Sequence, residues 1–147
     1  MAKSNLLRMD SIGIVVDDMK AAIAFFIELG LKLEGETTVE GKWIDHTIAL
    51  DGVRSDIAVL RTPDGSTKLE LSKFHKPTAI SAAHNAVHTL GIGRIMFAVQ
   101  DIDEVLSRLK PHGATLIGEV TQYEDKYRLC YLRGPEGILI ALAQKIG

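Results

Sequence analysis

The chain has 147 residues, 46% hydrophobic and 24% charged, with 17 basic and 19 acidic side chains and a formal net charge of -2. This length suits one domain, or two small halves that share one core. The near-neutral charge offers no basic surface to a phosphate backbone, so we expect no general nucleic-acid binding. The one cysteine, Cys130, excludes an intramolecular disulfide. The first ten residues are not typical of a signal peptide, and no apolar run approaches the roughly 20 residues of a membrane span. We therefore expect a cytoplasmic protein without membrane contact.

An internal repeat organises the chain. Residues 11–36 align without a gap on residues 94–119, and seven of the 26 aligned positions are identical. Among the identities are the aspartates at positions 18 and 101, which suit helix N-caps. The glycines at positions 30 and 113 suit the left-handed residue that ends a helix. Each copy therefore predicts a strand, a helix and a second strand.

The predicted elements follow the same order in both halves. Short runs of apolar or alternating residues predict strands in the first half at residues 12–16, 31–36, 47–50, 56–61 and 68–72, and in the second at residues 95–99, 114–119, 127–133 and 138–143. Helical spacing of apolar residues predicts one helix after the first strand of each half. The result is an α+β fold of two βαβββ modules, at residues 8–74 and 93–146, joined by a linker helix at residues 75–92 within a single domain, 1–147.

The duplicated unit resembles the vicinal oxygen chelate superfamily, which includes glyoxalase I, extradiol dioxygenases and bleomycin-resistance proteins. The stretches that carry the resemblance are MDSIGIVVDDMKAAIAFFIELGLKL, TPDGSTKLELSKF, GIGRIMFAVQDIDEVLSRLKPHGATLIGE and RGPEGILIALAQ. The resemblance implies that the modules form a curved, half-barrel mixed sheet with a concave cavity. It also implies a homodimer.

The resemblance further implies where a metal would bind. Metal-dependent members take ligands from the first and last strands of each half, and these positions fall on Ser11, Glu70, Arg94 and Ala141 in this chain. Only Glu70 matches a ligand type, because alanine has no donor and a guanidinium carries a permanent positive charge. We therefore expect no metal ion and no other cofactor at the family position.

Strand alternation places Ser11, Glu70 and Arg94 on one face, which the resemblance makes the concave one. We expect an ion pair between Glu70 and Arg94 there. Two interpretations stay open. The pair can be structural, or Arg94 can offer its donors to a carboxylate or another oxygen-rich ligand.

A predicted loop at residues 37–46 carries two further candidates. Trp43 can cover a ligand by stacking, or it can pack on the core or on a second subunit. His46 can act as an acid or base near neutral pH, or it can be a polar residue at a strand edge. On the predicted linker helix, His84 and His88 are four residues apart, which permits a shared metal ion but equally an exposed helix face.

The segment at residues 123–131 concentrates tyrosines and an arginine. Alternation allows one of two sets to face the cavity, either Tyr127 with Tyr131 or Arg128 with Cys130. Arg128 is a candidate for binding a flat or anionic molecule. Cys130 reads as a small residue that fills the core.

These observations favour a metal-free protein that binds a small molecule, with an oxygen-rich or aromatic ligand held in the cavity. The candidate ligand-binding residues are Ser11, Trp43, His46, Glu70, Arg94 and Arg128. The alternative is a glyoxalase-like lyase or isomerase, or a dioxygenase-related enzyme, which uses Glu70 as acid or base without metal or with metal at another site. A third class, a structural or regulatory dimer, would bind no ligand.

Overall fold

A computed structural model describes residues 5–82 and 86–147. The chain divides between Ala79 and Ile80 into two compact units, and each unit contains one four-stranded mixed sheet. The α+β class and the two βαβββ repeats predicted from the sequence are confirmed. In the described residues, every helix is too short or too polar to cross a membrane.

Within residues 5–79, the first unit contains four strands and two helices. In chain order they are β1 (Ser11–Val15), α1 (Met19–Leu29), β2 (Lys32–Glu40), α2 (Lys42–Ile48), β3 (Arg54–Arg61) and β4 (Lys68–Lys76). The spatial order of the strands is β1-β4-β3-β2, with β1 parallel to β4 and the other pairs antiparallel. Helix α1 packs against β2, β3 and β4, and this contact forms the core of the unit.

Local sequence explains where α1 begins and ends. The Asp18 carboxylate accepts the backbone N–H of Ala21 at 3.0 Å, which satisfies one of the free donors at the start of the helix. At the other end Gly30 has φ +127°, a conformation that side chains with a Cβ rarely adopt. Between these ends, Phe25 and Phe26 are almost fully buried and meet edge to face, with ring centroids 5.2 Å apart. Their burial holds the helix on the sheet.

The second unit repeats this plan. Its elements are β5 (Ile95–Ala98), α3 (Ile102–Leu109), β6 (Thr115–Tyr123), β7 (Tyr127–Arg133) and β8 (Leu139–Lys145), with single 3₁₀ turns at Lys110–His112 and Pro135–Gly137. The strand order is β5-β8-β7-β6, again with one parallel pair, β5 and β8. The core is made of fully buried side chains from α3, β7 and β8: Ile102, Leu109, Leu132, Ile140 and Leu142.

The repeat extends to the turn before the last strand of each unit. Arg61 ends β3 and donates to the carbonyl oxygen of Gly65 at 3.1 Å. Arg133 ends β7 and donates to the carbonyl oxygen of Gly137 at 2.9 Å. In both units an arginine side chain therefore closes the proline-glycine turn of its own hairpin, a correspondence outside the aligned segments.

The prediction of a loop at residues 37–46 and a strand at 47–50 was wrong. Strand β2 continues to Glu40, and α2 follows directly. The carboxylate of Asp45 in α2 accepts the backbone N–H groups of Gly52 and Val53 at 3.0 and 2.8 Å, so one side chain stabilises the turn into β3. No residue of α2 is buried, and for that reason its sequence lacks the apolar stripe that predicts a helix.

The predicted linker helix is also not observed. Lys76 still belongs to β4, and residues 77–82 and 86–92 contain turns and irregular backbone. Ile80, Leu90 and Ile92 are more than nine-tenths exposed, so no apolar burial offsets the entropic cost of ordering a short helix. His88 lies in a turn, and His84 falls outside the described residues.

Candidate functional site

Each sheet has a face opposite the helix that follows its first strand. We call this the distal face, opposite α1 in the first sheet and opposite α3 in the second. Ile14 in β1 and Val16 just after it are buried on the α1 side, whereas Val15 is 51% exposed. Glu70 lies opposite Gly13 and Val59 in the register of the sheet, and its neighbours along β4, Leu69 and Leu71, are buried. Glu70 therefore lies half-buried on the distal face, as alternation predicts.

The Glu70 carboxylate has no hydrogen bond or ion pair within the described part of the first unit, residues 5–79. Both neighbours in its row, Gly13 and Val59, are apolar. The carboxylate is thus available to a ligand on this face. Arg94 belongs to the other unit, and the predicted ion pair between the two stays a prediction.

Ser11 lies at one end of the same face, among charges that are already paired. It stands opposite Lys68, whose Nζ is 3.5 Å from a carboxylate oxygen of Asp10. The positive charge of Lys68 lowers the pKa of Asp10. On the next strand, Arg61 pairs with Glu34 of β2. The hydroxyl group of Ser11 therefore lies next to two ion pairs.

Trp43 and His46 lie on α2 rather than in a loop. Trp43 is 61% exposed, and its carbonyl oxygen accepts the hydroxyl of Thr47 one turn later. His46 is exposed as well. Helix α2 packs on β2 with no buried residue, so neither side chain belongs to the core of the unit. Their part in ligand binding stays a prediction.

In the second sheet, the strand register shows which residues of β7 lie on the distal face. Tyr131 lies opposite Ala141 of β8, and Ala141 lies opposite Met96 of β5. Arg94, two residues before Met96, places its guanidinium carbon 5.5 Å from the centroid of the Tyr131 ring. This is the geometry of a cation–π contact. Tyr127 and Tyr131 therefore occupy the distal face together with Arg94.

Arg128 and Cys130 occupy the face that α3 covers. Arg128 donates to both carboxylate oxygens of Asp103 in α3, at 3.0 and 3.2 Å, and these bonds raise its pKa. Gln144, opposite Arg128, accepts the backbone N–H of Ile102 at the start of α3. Cys130 is buried, and the burial raises the pKa of its thiol. Arg128 thus lies on the opposite side of the sheet from Arg94 and pairs with a helix.

The residues at the family's metal positions do not fit a metal ion. Ala141 is fully buried and has no donor, and Arg94 brings an exposed positive charge. Ser11 and Glu70 would supply one hydroxyl and one carboxylate, at most three oxygen atoms, which is fewer than a divalent ion requires. Elsewhere in residues 5–82 and 86–147, no three His, Cys, Asp or Glu side chains are grouped in a way that could hold a metal ion.

A polar cluster on the α1 face of the first sheet was not identified from the sequence. The Asp56 carboxylate accepts the hydroxyl of Thr38 at 2.8 Å and lies 2.8 Å from Nε2 of His75. It adjoins a shallow pocket of about 340 Å³, whose lining includes Met19 and Glu36. The three polar residues come from three neighbouring strands, so their meeting depends on strand register, which no local motif encodes.

The two units define a duplicated α+β class, in which each sheet has one parallel strand pair and one helix on a single face. A family model described as the Glyoxalase/Bleomycin resistance protein/Dioxygenase superfamily matches residues 8–142. The chain belongs to this superfamily. The match spans both units and supports the resemblance drawn from the repeat.

Several known proteins are similar to this chain. A glyoxalase family protein from Bacillus cereus is 53% identical in sequence, with a TM-score of 0.94 over 100% of this chain and 99% of that one. The uncharacterised protein YwbC of Bacillus subtilis strain 168 is 31% identical over 94% of this chain and 98% of its own length. TnmS3, described as an antibiotic binding protein from Streptomyces sp. CB03234, shares the fold at 16% identity, with a TM-score of 0.64 over 97% of this chain and 99% of its own.

Proposed function

We propose that this protein binds a small molecule without a metal ion, and that the ligand is oxygen-rich or aromatic. The observation that carries the proposal is the contact between Arg94 and Tyr131. It puts a cation and an aromatic ring together at a strand position where metal-dependent members of the family have a metal ligand. A guanidinium against a ring can donate to a carboxylate or another anion, whereas it repels a metal cation.

The charges of the second unit support this role. Arg108 pairs with Glu104, and Arg128 pairs with Asp103. Arg94 has no carboxylate partner within the described part of its own unit, residues 80–82 and 86–147. Its donors are therefore available to a ligand on the distal face. The antibiotic binding protein among the structural neighbours is further support, because it is an example of this fold in a binding protein.

The remaining candidates belong to the proposal as well. Glu70 offers a carboxylate that has no partner within residues 5–79, and Ser11 offers a hydroxyl on the distal face of the first sheet. Trp43 and His46 offer exposed side chains on α2. We propose that the protein works as a homodimer in the cytoplasm. Size-exclusion chromatography with light scattering tests the dimer directly, because a monomeric mass at micromolar concentration would contradict it.

One observation favours a second candidate function, a glyoxalase-like lyase or isomerase. Glu70 is half-buried and lacks a partner within residues 5–79, which suits a group that exchanges a proton with a substrate. In that case the change Glu70→Gln would abolish turnover while the substrate still binds. A binding protein would instead bind its ligand and release it unchanged.

The first experiment is elemental metal analysis of the untagged protein, before and after incubation with Mg, Mn, Fe, Ni and Zn. We expect less than stoichiometric metal and no change in melting temperature with a chelator. A thermal-shift screen of small aromatic and oxygen-rich acids follows, because a ligand that binds the native state raises its melting temperature. Stoichiometric, chelator-sensitive metal would overturn the proposal.

A further inference from the structure

The three tyrosines of the chain lie on one face of one sheet. Tyr127 and Tyr131 are four residues apart on β7, so their side chains point to the same side. Tyr123 of β6 stands directly opposite Tyr127, and directly opposed residues of an antiparallel pair share a face. Because Tyr131 lies on the distal face with Arg94, all three rings lie there.

Between the two tyrosines of β7, the side chains on this face are apolar and mostly small. The intermediate row consists of Leu129, Ala143 and Ala98, which are opposite one another across β7, β8 and β5. Two of these side chains are single methyl groups. The row forms an apolar floor bounded at each end by a tyrosine ring, a shape that favours a flat molecule over a globular one.

The distance between the rings sets the length of that molecule. Four residues of β-strand span about 13 Å, at roughly 3.3 Å per residue. A single six-membered ring is too short to contact both tyrosines, whereas a molecule with several fused rings can approach both. Tyr127 is 41% and Tyr123 is 56% exposed, and Met96 in the Tyr131 row is 47% exposed, so side chains near both ends of this surface are accessible.

The positive side chains on this face indicate which charge a bound ligand would carry. Arg94 stands at the Tyr131 end, and Lys145 lies opposite Tyr127 at the other end. No acidic residue occupies a paired distal position on β5, β7 or β8. An anionic group is therefore favoured.

We propose that the distal face of the second sheet binds an elongated, planar aromatic molecule whose carboxylate or equivalent anionic group meets Arg94. The inference rests on the proposed binding function and specifies its ligand class and orientation. The flat rings lie over Leu129, Ala143 and Ala98, between the tyrosines. The contact with the Tyr131 ring uses the π face of that ring and leaves the N–H groups of Arg94 to donate to the anion.

Three probes separate the two features of the ligand. Anthraquinone-2-carboxylate has the length and the charge, anthraquinone-2-carboxamide has the length alone, and benzoate has the charge alone. Calorimetric titration of the full-length protein should give the long acid the highest affinity, about tenfold or more above the amide, since a charged group strengthens the hydrogen bonds it receives. Benzoate should bind more weakly than the long acid.

Two variants then locate the interaction. Arg94→Met should reduce the affinity for the acid to that for the amide. Tyr127→Leu should weaken both anthraquinones severalfold and leave benzoate unchanged, because benzoate does not reach that ring. The matched control is Arg108→Met, which removes an exposed arginine from α3 and should change no affinity. The melting temperature of each variant verifies that it folds.

The outcomes distinguish this inference from the function on which it rests. Equal affinity for acid and amide in the unaltered protein, or an acid preference that survives Arg94→Met, would overturn the inference but leave metal-free binding intact. Absence of binding by all three probes would also overturn it, while the broader thermal-shift screen still decides the proposed function. Stoichiometric metal in the elemental analysis would contradict the proposed function itself.

Discussion

The guanidinium carbon of Arg94 lies 5.5 Å from the centre of the Tyr131 ring, on the face of the second sheet that α3 does not cover. Three residues earlier on β7, Arg128 points to the other face and binds Asp103 of α3. Two arginines of one unit thus have different partners, a ring and a carboxylate. This difference gives them different expected roles, one in binding and one in stability.

Exchange of these two arginines for methionine should separate the roles. Arg128→Met removes two hydrogen bonds between β7 and α3, so we expect a small decrease in melting temperature. The affinity for anionic aromatic ligands should not change. Arg94→Met should leave the melting temperature nearly unchanged and lower that affinity. Thermal unfolding and calorimetric titration of both variants test the prediction. It is contradicted if Arg128→Met lowers the affinity as much as Arg94→Met.

The packing of α1 should dominate the stability of the first unit. Phe26 is fully buried between α1 and the sheet, so Phe26→Ala should lower the free energy of unfolding by about 3–5 kcal/mol. The next residue, Ile27, is 46% exposed, and Ile27→Ala should cost much less, about 0.5 kcal/mol. Urea unfolding of the two variants gives the comparison. Similar losses would mean that α1 does not pack as described.

The Asp56 cluster should make stability depend on pH in the acid range. The hydrogen bond from His75, and then that from Thr38, lowers the pKa of Asp56 below its ordinary value of 3.8. A carboxyl group with a lowered folded-state pKa stabilises the protein above its unfolded pKa, and this contribution is lost as the pH falls through the folded value. Asp56→Asn should therefore be less stable than the unaltered protein at pH 6.

That stability difference should shrink as the pH falls below about 3.8, where the unaltered protein also loses the charge of Asp56. Unfolding in urea at a series of pH values measures it. Asp51→Asn, at an exposed carboxylate just before β3, is the control and should show no comparable difference at pH 6. A difference for Asp56→Asn that stays constant from pH 6 to pH 3 would show that the charge is not responsible.

Cys130 should react slowly with thiol reagents in the native protein. Its side chain is 3% exposed, and burial raises the pKa of the thiol, so little thiolate forms at pH 8 and little of it is accessible. An aromatic disulfide reagent should modify one thiol per chain rapidly in denaturant and far more slowly without it. Rapid modification of the native protein would place Cys130 outside the core.

The sequence predicted most strands correctly, but it did not predict the segments whose residues lack a buried face. Helix α2 was missed because all of its residues remain exposed or half-exposed, which removes the periodic apolar signal. The linker helix was predicted from composition, and residues 77–82 and 86–92 of that segment are not helical, because exposed residues such as Leu90 bury no apolar surface there. Both errors arise where tertiary contact, rather than local preference, decides the conformation.

The candidate site was predicted in its residue types more fully than in its geometry. Glu70 and Arg94 could be recognised because they replace or retain family ligands at definite strand positions. The tyrosine face could not be recognised, because alternation along β7 left two equivalent choices. The contact of Arg128 with Asp103 decides between them.

By itself, the sequence determined the duplicated βαβββ order, the helix ends at Asp18 and Gly30, and the chemical character of the family's metal positions. Each of these depends on neighbours along the chain or on residue type alone. Only the tertiary structure decided which side of each strand faces a helix, and therefore that Arg94 meets Tyr131 while Arg128 meets Asp103. The physical reason is that a strand offers two faces of similar local energy, and packing of the helix on one of them assigns every side chain at once.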